Sequence, residues 1–218
     1  MAKPASNLVS GQFINIQKLH VAKLLTDTAG DPATYEEPID LGKVLRSVDI
    51  KPSTSTADLY ADGQSIDSAS NTASYELTFD TAALPLEYIA YLLGHSFEGG
   101  QMVAHKDDVA PYFGVMFQSD KRNGGTRFIK FFKVSFSEPS VTGSTKEENI
   151  SYQTPTITAK AIYRLSDGKS YAYADTESGY DNTGDSWYDN EACRGTRGAC
   201  ARGRRCPDGR RDGSCAAG

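Results

Sequence analysis

Four cysteines, Cys193, Cys200, Cys206 and Cys215, are the first residues whose type suggests chemistry, because four thiolates can close a tetrahedral zinc site. Their spacing contains no CxxC pair and so lacks the signature of a zinc ribbon or finger. These four are the only metal candidates, and no metal or cofactor is expected. The three histidines, His20, His95 and His105, fall on separate segments with no HExxH or triad spacing. No GxSxG elbow is present. The carboxylate pairs Glu36 with Glu37, Asp107 with Asp108 and Glu147 with Glu148 are immediate neighbours in sequence. Adjacent side chains of extended backbone point apart, whereas an acid/base pair must face one cleft. The acidic run Asp175, Glu177, Asp181, Asp185 and Asp189 does not reproduce an EF-hand loop and reads as a solvated linker. No catalytic residue is therefore assigned, and the chain is read as a non-enzyme.

With 218 residues, 39% of them hydrophobic, the chain can bury one sizeable core. Its net charge of −5 hides a split. Of its 28 acidic and 23 basic residues, two and seven lie beyond Ala192, leaving the body at −10 and the C-terminal extension at +5. An acidic body argues against a surface that grips DNA, which needs clustered Lys and Arg. It is compatible with DNA passing by, since a like-charged wall does not hold it. All four cysteines sit in the basic extension, so the body owes nothing to disulfides, as a reducing compartment requires. No apolar run is long enough to cross a bilayer, and MAKPASNLVSGQF has no signal-peptide pattern. The expectation is a soluble product of the cytoplasm with no membrane partner.

The elements that would position any site are mostly strands. FINIQKLHVAKLL (Phe13 to Leu25) alternates through Leu19, and GDPATYEEP (Gly30 to Pro38) reads as a loop. VLRSVDIKP (Val44 to Pro52) and ADLYADGQSI (Ala57 to Ile66) read as short strands joined by a Ser/Thr-rich piece, with Asp62-Gly63 as a hairpin turn. SYELTFD (Ser74 to Asp80) alternates strictly. LPLEYIAYLL (Leu84 to Leu93) is the one convincing helix, with Leu86, Ile89, Ala90 and Leu93 at helical spacing and Gly94 as its stop. A lone helix among strands should cap an end of the β core or cover its hydrophobic mouth. A polar loop (His95 to Ala110), strands at Tyr112 to Asp120 and Thr154 to Leu165, and a last strand in KSYAYAD complete the pattern. Past Thr176 no periodicity remains. The division is an arm at 1–12, a β domain at 13–176, and a disordered Asp/Gly then Arg/Gly/Cys extension at 177–218.

TRFIKFFKVSFSEP (Thr126 to Pro139) stands out. A strict two-residue period puts Phe128, Lys130, Phe132, Val134 and Phe136 on one face and Arg127, Ile129, Phe131, Lys133 and Ser135 on the other. Both faces carry apolar bulk, so the strand should meet matter on both sides. A second sheet and a neighbouring copy are the expected covers, which makes Phe128, Lys130, Phe132, Val134 and Phe136 the inter-subunit candidates.

The ordered set GQFINIQKLHVAKLLTD, VLRSVDIKPSTSTADLYADGQSID, SYELTFDTAALPLEYIAYLLGHSFEGG, YFGVMFQSDKRNGGTRFIKFFKVSFSEPSV and TPTITAKAIYRL, with Tyr35 to Pro38, resembles the major tail protein of long-tailed, non-contractile bacteriophages. The resemblance covers about residues 6 to 175; the extension beyond Thr176 matches nothing in that pattern. It implies a β-sandwich or barrel-like core with a flanking helix, in a virion tail protein assembled in the host cytoplasm. Its copies would form hexameric rings stacked into a tube, joined at the ends by other tail proteins, with double-stranded DNA passing unbound through the lumen. On that reading Tyr60, Asp62, Gly63, Gln64 and Ile66 belong to a loop reaching the next ring, and the lumen is lined by acidic and small polar side chains. The alternative is a carbohydrate-binding β-sandwich module of a phage or secreted particle, with Tyr171, Tyr173, Tyr180, Trp187 and Tyr188 as stacking aromatics.

Overall fold

The computed structural model describes residues 12–61, 64–82, 84–140, 155–182 and 186–189. In chain order the strands are β1 (Phe13–Thr26), β2 (Thr34–Tyr35), β3 (Ile39–Asp40), β4 (Leu45–Ala61), β5 (Gln64–Thr81), β6 (Ser96–Glu98), β7 (Gln101–Val103), β8 (Tyr112–Lys121), β9 (Thr126–Phe136), β10 (Thr156–Ala161) and β11 (Tyr171–Asp175). One helix, α1 (Leu86–Leu93), lies between β5 and β6. The fold is mainly β, as the alternation predicts. Its main sheet has the order β2-β1-β8-β9-β10-β5-β4, with β3 also on β1 and β11 also on β9, and every pairing is antiparallel. The sheet curls until β1 and β4, far apart in that order, touch without exchanging ladder hydrogen bonds. The result is a barrel-like body with one open seam.

The inner face carries the main core: Leu19, Val21, Leu77, Phe79, Phe113, Val115, Phe117, Ile129, Phe131, Val134, Phe136, Ile157 and Ala159 among others. Helix α1 plugs one mouth. Leu84 and Leu92 meet Leu19, Leu41, Phe79, Phe136 and Ile157 around a residual void of about 10 Å³. Pro85 opens the helix, and Gly94 closes it in the left-handed region at φ 75°, with its N–H donating to the Ala90 carbonyl. The buried residues of α1 are Ala90, Leu92 and Leu93, whereas Leu86, expected on the buried face, is exposed. The helix is only two turns long, so the docking of its C-terminal half onto the barrel mouth decides its rotation.

The expected single-face grouping of Phe128, Lys130, Phe132, Val134 and Phe136 is corrected by a bulge. Phe131 pairs with Val115 and Val134 with Phe113, so Phe132 and Lys133 together stand opposite Gly114 alone. The extra residue inverts the alternation halfway along β9. Val134 and Phe136 therefore join Ile129 and Phe131 in the main core, while Phe128 lies on the other face in a second cluster with Ala22, Ala33, Tyr35, Met116, Trp187 and Tyr188. All five candidates are buried within one chain, on a strand flanked by β8 on one side and by β10 and β11 on the other. The two-sided apolar pattern is thus satisfied internally and needs no second copy.

Three other boundaries move. The Ser/Thr-rich piece after Val44 to Pro52 is no linker: it continues β4, paired rung by rung with β5, and Thr54 and Thr72 hydroxyls meet at 3.1 Å. Pro52 is tolerated there because β4 is the sheet's last strand. The predicted polar loop at His95 to Ala110 contains the small hairpin β6–β7, turned by Gly99 and Gly100 at positive φ. The β domain also runs past Thr176. Trp187 and Tyr188, 7% and 6% exposed, pack on the outer face of β8 and β9, so the ordered body reaches at least Asp189.

Candidate assembly surfaces

The most prominent surface element is the hairpin of β4 and β5. β10 pairs with β5 only from Tyr75 to Asp80, so from Ser53 outward the two strands pair with each other alone. Nine residues from Ser53 to Ala61 give a ribbon projecting roughly 30 Å at 3.3 Å per residue. Among the described residues neither of its margins has a strand partner, and the Tyr163 hydroxyl donates to the Thr72 carbonyl near its root. Tyr60, Gln64 and Ile66 lie in its distal strands. Asp62 and Gly63, and the cysteines Cys193, Cys200, Cys206 and Cys215, lie outside the described residues.

At the root of the ribbon is the open seam. Its groove, about 430 Å³, is lined by Phe13, Ile14, Asn15 and Ile16 of β1, Arg46, Val48 and Ile50 of β4, and Phe117, Ser119 and Ile129 beneath. Among the described residues, the outer edge of β4 has no strand partner along its length, and β1 has none on its outer edge before His20. Phe13 and Ile14 are 52% and 65% exposed. A kink separates this free half of β1 from the rest. Between Gln17 and His20 the pairing with β8 slips, and Lys18 sits at φ 57°, the one positive-φ non-glycine residue among those described.

The β4–β5–β10 blade has a dry face and a wet face. Val48, Phe79 and Ile157, then Ile50, Leu77 and Ala159, align in register on the dry side. Ser47, Asp80 and Thr156, then Asp49, Thr78 and Thr158, then Lys51, Glu76 and Lys160, align on the wet side. Charges there are balanced locally: Lys51 meets Asp49 at 2.9 Å and Arg46 approaches Asp80 at 3.8 Å.

Polar chemistry elsewhere fixes loops to the barrel. Asp27 accepts hydrogen bonds from Lys133 Nζ at 2.7 Å and from the Leu165 and Ser166 N–H groups. Burial pushes its carboxyl up, but those donors outweigh it and hold the group below the usual carboxylate range. Arg164 lies over the Phe132 ring at 4.4 Å and donates to Asp167 and to the Tyr35 hydroxyl. His95 and Asp108, which sequence spacing does not link, meet at 2.7 Å, and Asp108 also accepts the His105 N–H. His95 Nε2 is buried without a hydrogen-bond partner, 3.6 Å from Glu138. Through these bonds the pair braces the end of α1 against the following loop. No cluster of three or more His, Cys, Asp or Glu suited to a metal occurs among the described residues.

Of the aromatics considered for sugar stacking, Trp187 and Tyr188 are buried and Tyr180 packs against them. Tyr171 and Tyr173 remain exposed, with ring centroids 4.9 Å apart. The ribbon's length, the seam and the Lys121 network described below were invisible in sequence spacing, because each joins residues far apart in the chain. No family model matches the chain, and no curated protein matches it.

Proposed function

We propose that this chain is a structural subunit that assembles with copies of itself, as the tail-tube resemblance implies, in stacked rings around a channel through which DNA passes. The observation that carries the reading is the projecting β4–β5 ribbon, which among the described residues has no strand partner on either margin. A lone hairpin of this length buries too little to be stable in water by itself and exposes a template for strand pairing. A neighbouring subunit supplies what the ribbon lacks. The free edges of β1 and β4 at the seam give the same chemistry at the body of the subunit.

The wet face of the blade suits a channel wall. Hydroxyls of Ser47, Thr78, Thr156 and Thr158 alternate with charges that have opposite-sign neighbours. A phosphate chain passing over it meets no unneutralised row of cations. Its small polar side chains agree with the expected acidic and small polar lining, while its acidic groups have basic neighbours.

Electron microscopy and sedimentation of the purified protein test the proposal. Rings or tubes are expected for the full chain, and a variant with Ser53–Ser74 replaced by a short turn should stay monomeric with its far-UV β spectrum intact. Full-length protein that remains monomeric at high concentration, or a ribbonless variant that still forms tubes, overturns it. A second reading rests on the exposed Tyr171–Tyr173 pair, which is spaced for stacking on sugar rings. Glycan-array binding lost in Tyr173→Ala, with no self-association, would favour it.

A further inference from the structure

The segment after β11 does not share the barrel's core. Tyr180, Trp187 and Tyr188 pack with Phe128, Met116, Ala22, Ala33 and Tyr35 on the outer face, separate from the cluster that fills the interior. Phe128 makes the aromatic contacts, with Tyr180, Trp187 and Tyr188 centroids at 5.5, 5.8 and 6.4 Å. Lys130 Nζ lies 4.4 Å from the Trp187 centroid, the Tyr188 hydroxyl donates to Gln118 Oε1 at 2.8 Å, and Trp187 Nε1 reaches the Ile129 carbonyl at 3.4 Å.

At its root the segment is held by charge. Lys121, 2% exposed at the end of β8, donates to Asp175 Oδ2 at 2.6 Å and to Glu177. Arg127 of β9 donates to the same Asp175 oxygen at 2.9 Å, Asn123 of the β8–β9 turn donates to Glu177, and the Thr126 N–H donates to Thr176 Oγ1 at 2.9 Å. Of these groups, Glu177, Thr176 and the aromatics leave with the segment, whereas Lys121, Asn123, Arg127 and Asp175 stay with the sheet.

We propose that residues 176–182 and 186–189 form a detachable strap, buckled at Lys121, that opens while the barrel stays folded and so uncovers Phe128 and Met116 on the outer face. The two separate cores make this possible, because losing the strap's aromatics removes no residue from the barrel interior. The buckle sets the threshold. It joins one buried ammonium to two carboxylates, and opening it leaves Lys121 with fewer partners. Acid opens it as well. Lys121 holds the Glu177 carboxyl below its ordinary range. Burial raises Asp175, but Lys121 and Arg127 outweigh that effect and hold it low too. Groups depressed in the folded state stabilise above their unfolded values, near 4, and stop doing so as pH falls through the folded ones. The other ionisable groups facing the strap are His20, whose ring stands 4.4 Å from that of Tyr188, Lys18 at 5.6 Å from the same ring, Lys130, and the strap's own Asp181 beside Tyr180.

Trp187 is the chain's single tryptophan, so its emission reports the strap alone. Urea unfolding of the full chain at pH 7, followed in parallel by tryptophan emission and far-UV circular dichroism, should give two midpoints, with emission red-shifting first. Lys121→Met and the milder Glu177→Gln should each lower the emission midpoint and leave the dichroism midpoint in place, and lowering the pH towards 4 should narrow the range over which the strap stays closed. Coincident midpoints in the wild type and in Glu177→Gln would overturn the proposal, as would an equal shift of both signals in that variant.

Discussion

At the scale of single residues, buried charges have been recruited to pin loops that a β-barrel cannot hold by sheet pairing. Asp27 is the clearest case, since one carboxylate satisfies Lys133 and two backbone N–H groups of the turn after β10. Removing one partner of such a buried pair leaves the other charge stranded, so Asp27→Ala should cost about 3 kcal/mol in urea denaturation at pH 7. Its pH dependence has a definite sign. The folded-state carboxyl is depressed, so its stabilisation is complete above the unfolded value near 4 and disappears as pH falls through the folded value. The stability gap between wild type and Asp27→Asn should therefore close below that range, and a gap that widens in acid would show the wrong assignment. Lys18 makes the opposite prediction. A left-handed conformation costs a non-glycine residue free energy, and Lys18→Gly should raise the unfolding free energy measured in urea by up to about 1 kcal/mol.

At the scale of elements, the long strands were legible in the sequence, whereas the short strands β2, β3, β6 and β7 and the continuity of β4 were not. Tyr75, Leu77 and Phe79 alternate cleanly because one face of β5 is core and the other is water. The Ser/Thr run after Pro52 carries no such contrast, since residues 53–56 are exposed whichever face they occupy and leave no hydrophobic period to read. The bulge at Phe132 and Lys133 was hidden for another reason: every residue around it is apolar or amphipathic, so a phase slip changes nothing visible in composition. Trp187 and Tyr188 were lost among the Asp, Gly and Asn of their neighbourhood, and only the acceptor face on β8 and β9 explains them. Truncation tests this correction. A chain ending at Asp189 should keep the wild-type dichroism midpoint and its assembly. One ending at Asp175 should expose Phe128 and Met116 and bind a hydrophobic dye more strongly, and equal behaviour of the two would return the domain boundary to Thr176.

At the scale of the whole molecule, the curled sheet stops short of closure, and the unclosed margin coincides with the base of the ribbon. Ile14 lies there, largely exposed and touching little of its own chain. Ile14→Asp should change monomer stability by no more than about 0.5 kcal/mol, as for most surface substitutions. If the seam is where copies join, the same change should raise the concentration needed for assembly in sedimentation velocity, whereas an unaltered assembly threshold would place the junction elsewhere.

The blade that bears the ribbon is joined to the rest of the barrel mainly through β9 and β10, which pair over three rungs, Ala159 with Phe136, Lys160 with Ser135, and Ala161 with Val134, with the Ser137, Ser140 and Ile162 N–H groups bonded beyond them to Thr158, Thr156 and Lys133. Six regular rungs join β10 to β5, whereas half of the bonds at the attachment lie outside the ladder. A pull or twist on the ribbon is therefore expected to load that less regular joint first, as a pivot. A filament built by gripping such ribbons could curve by small tilts of each blade, sharing the deflection among many pivots without breaking any contact between its units.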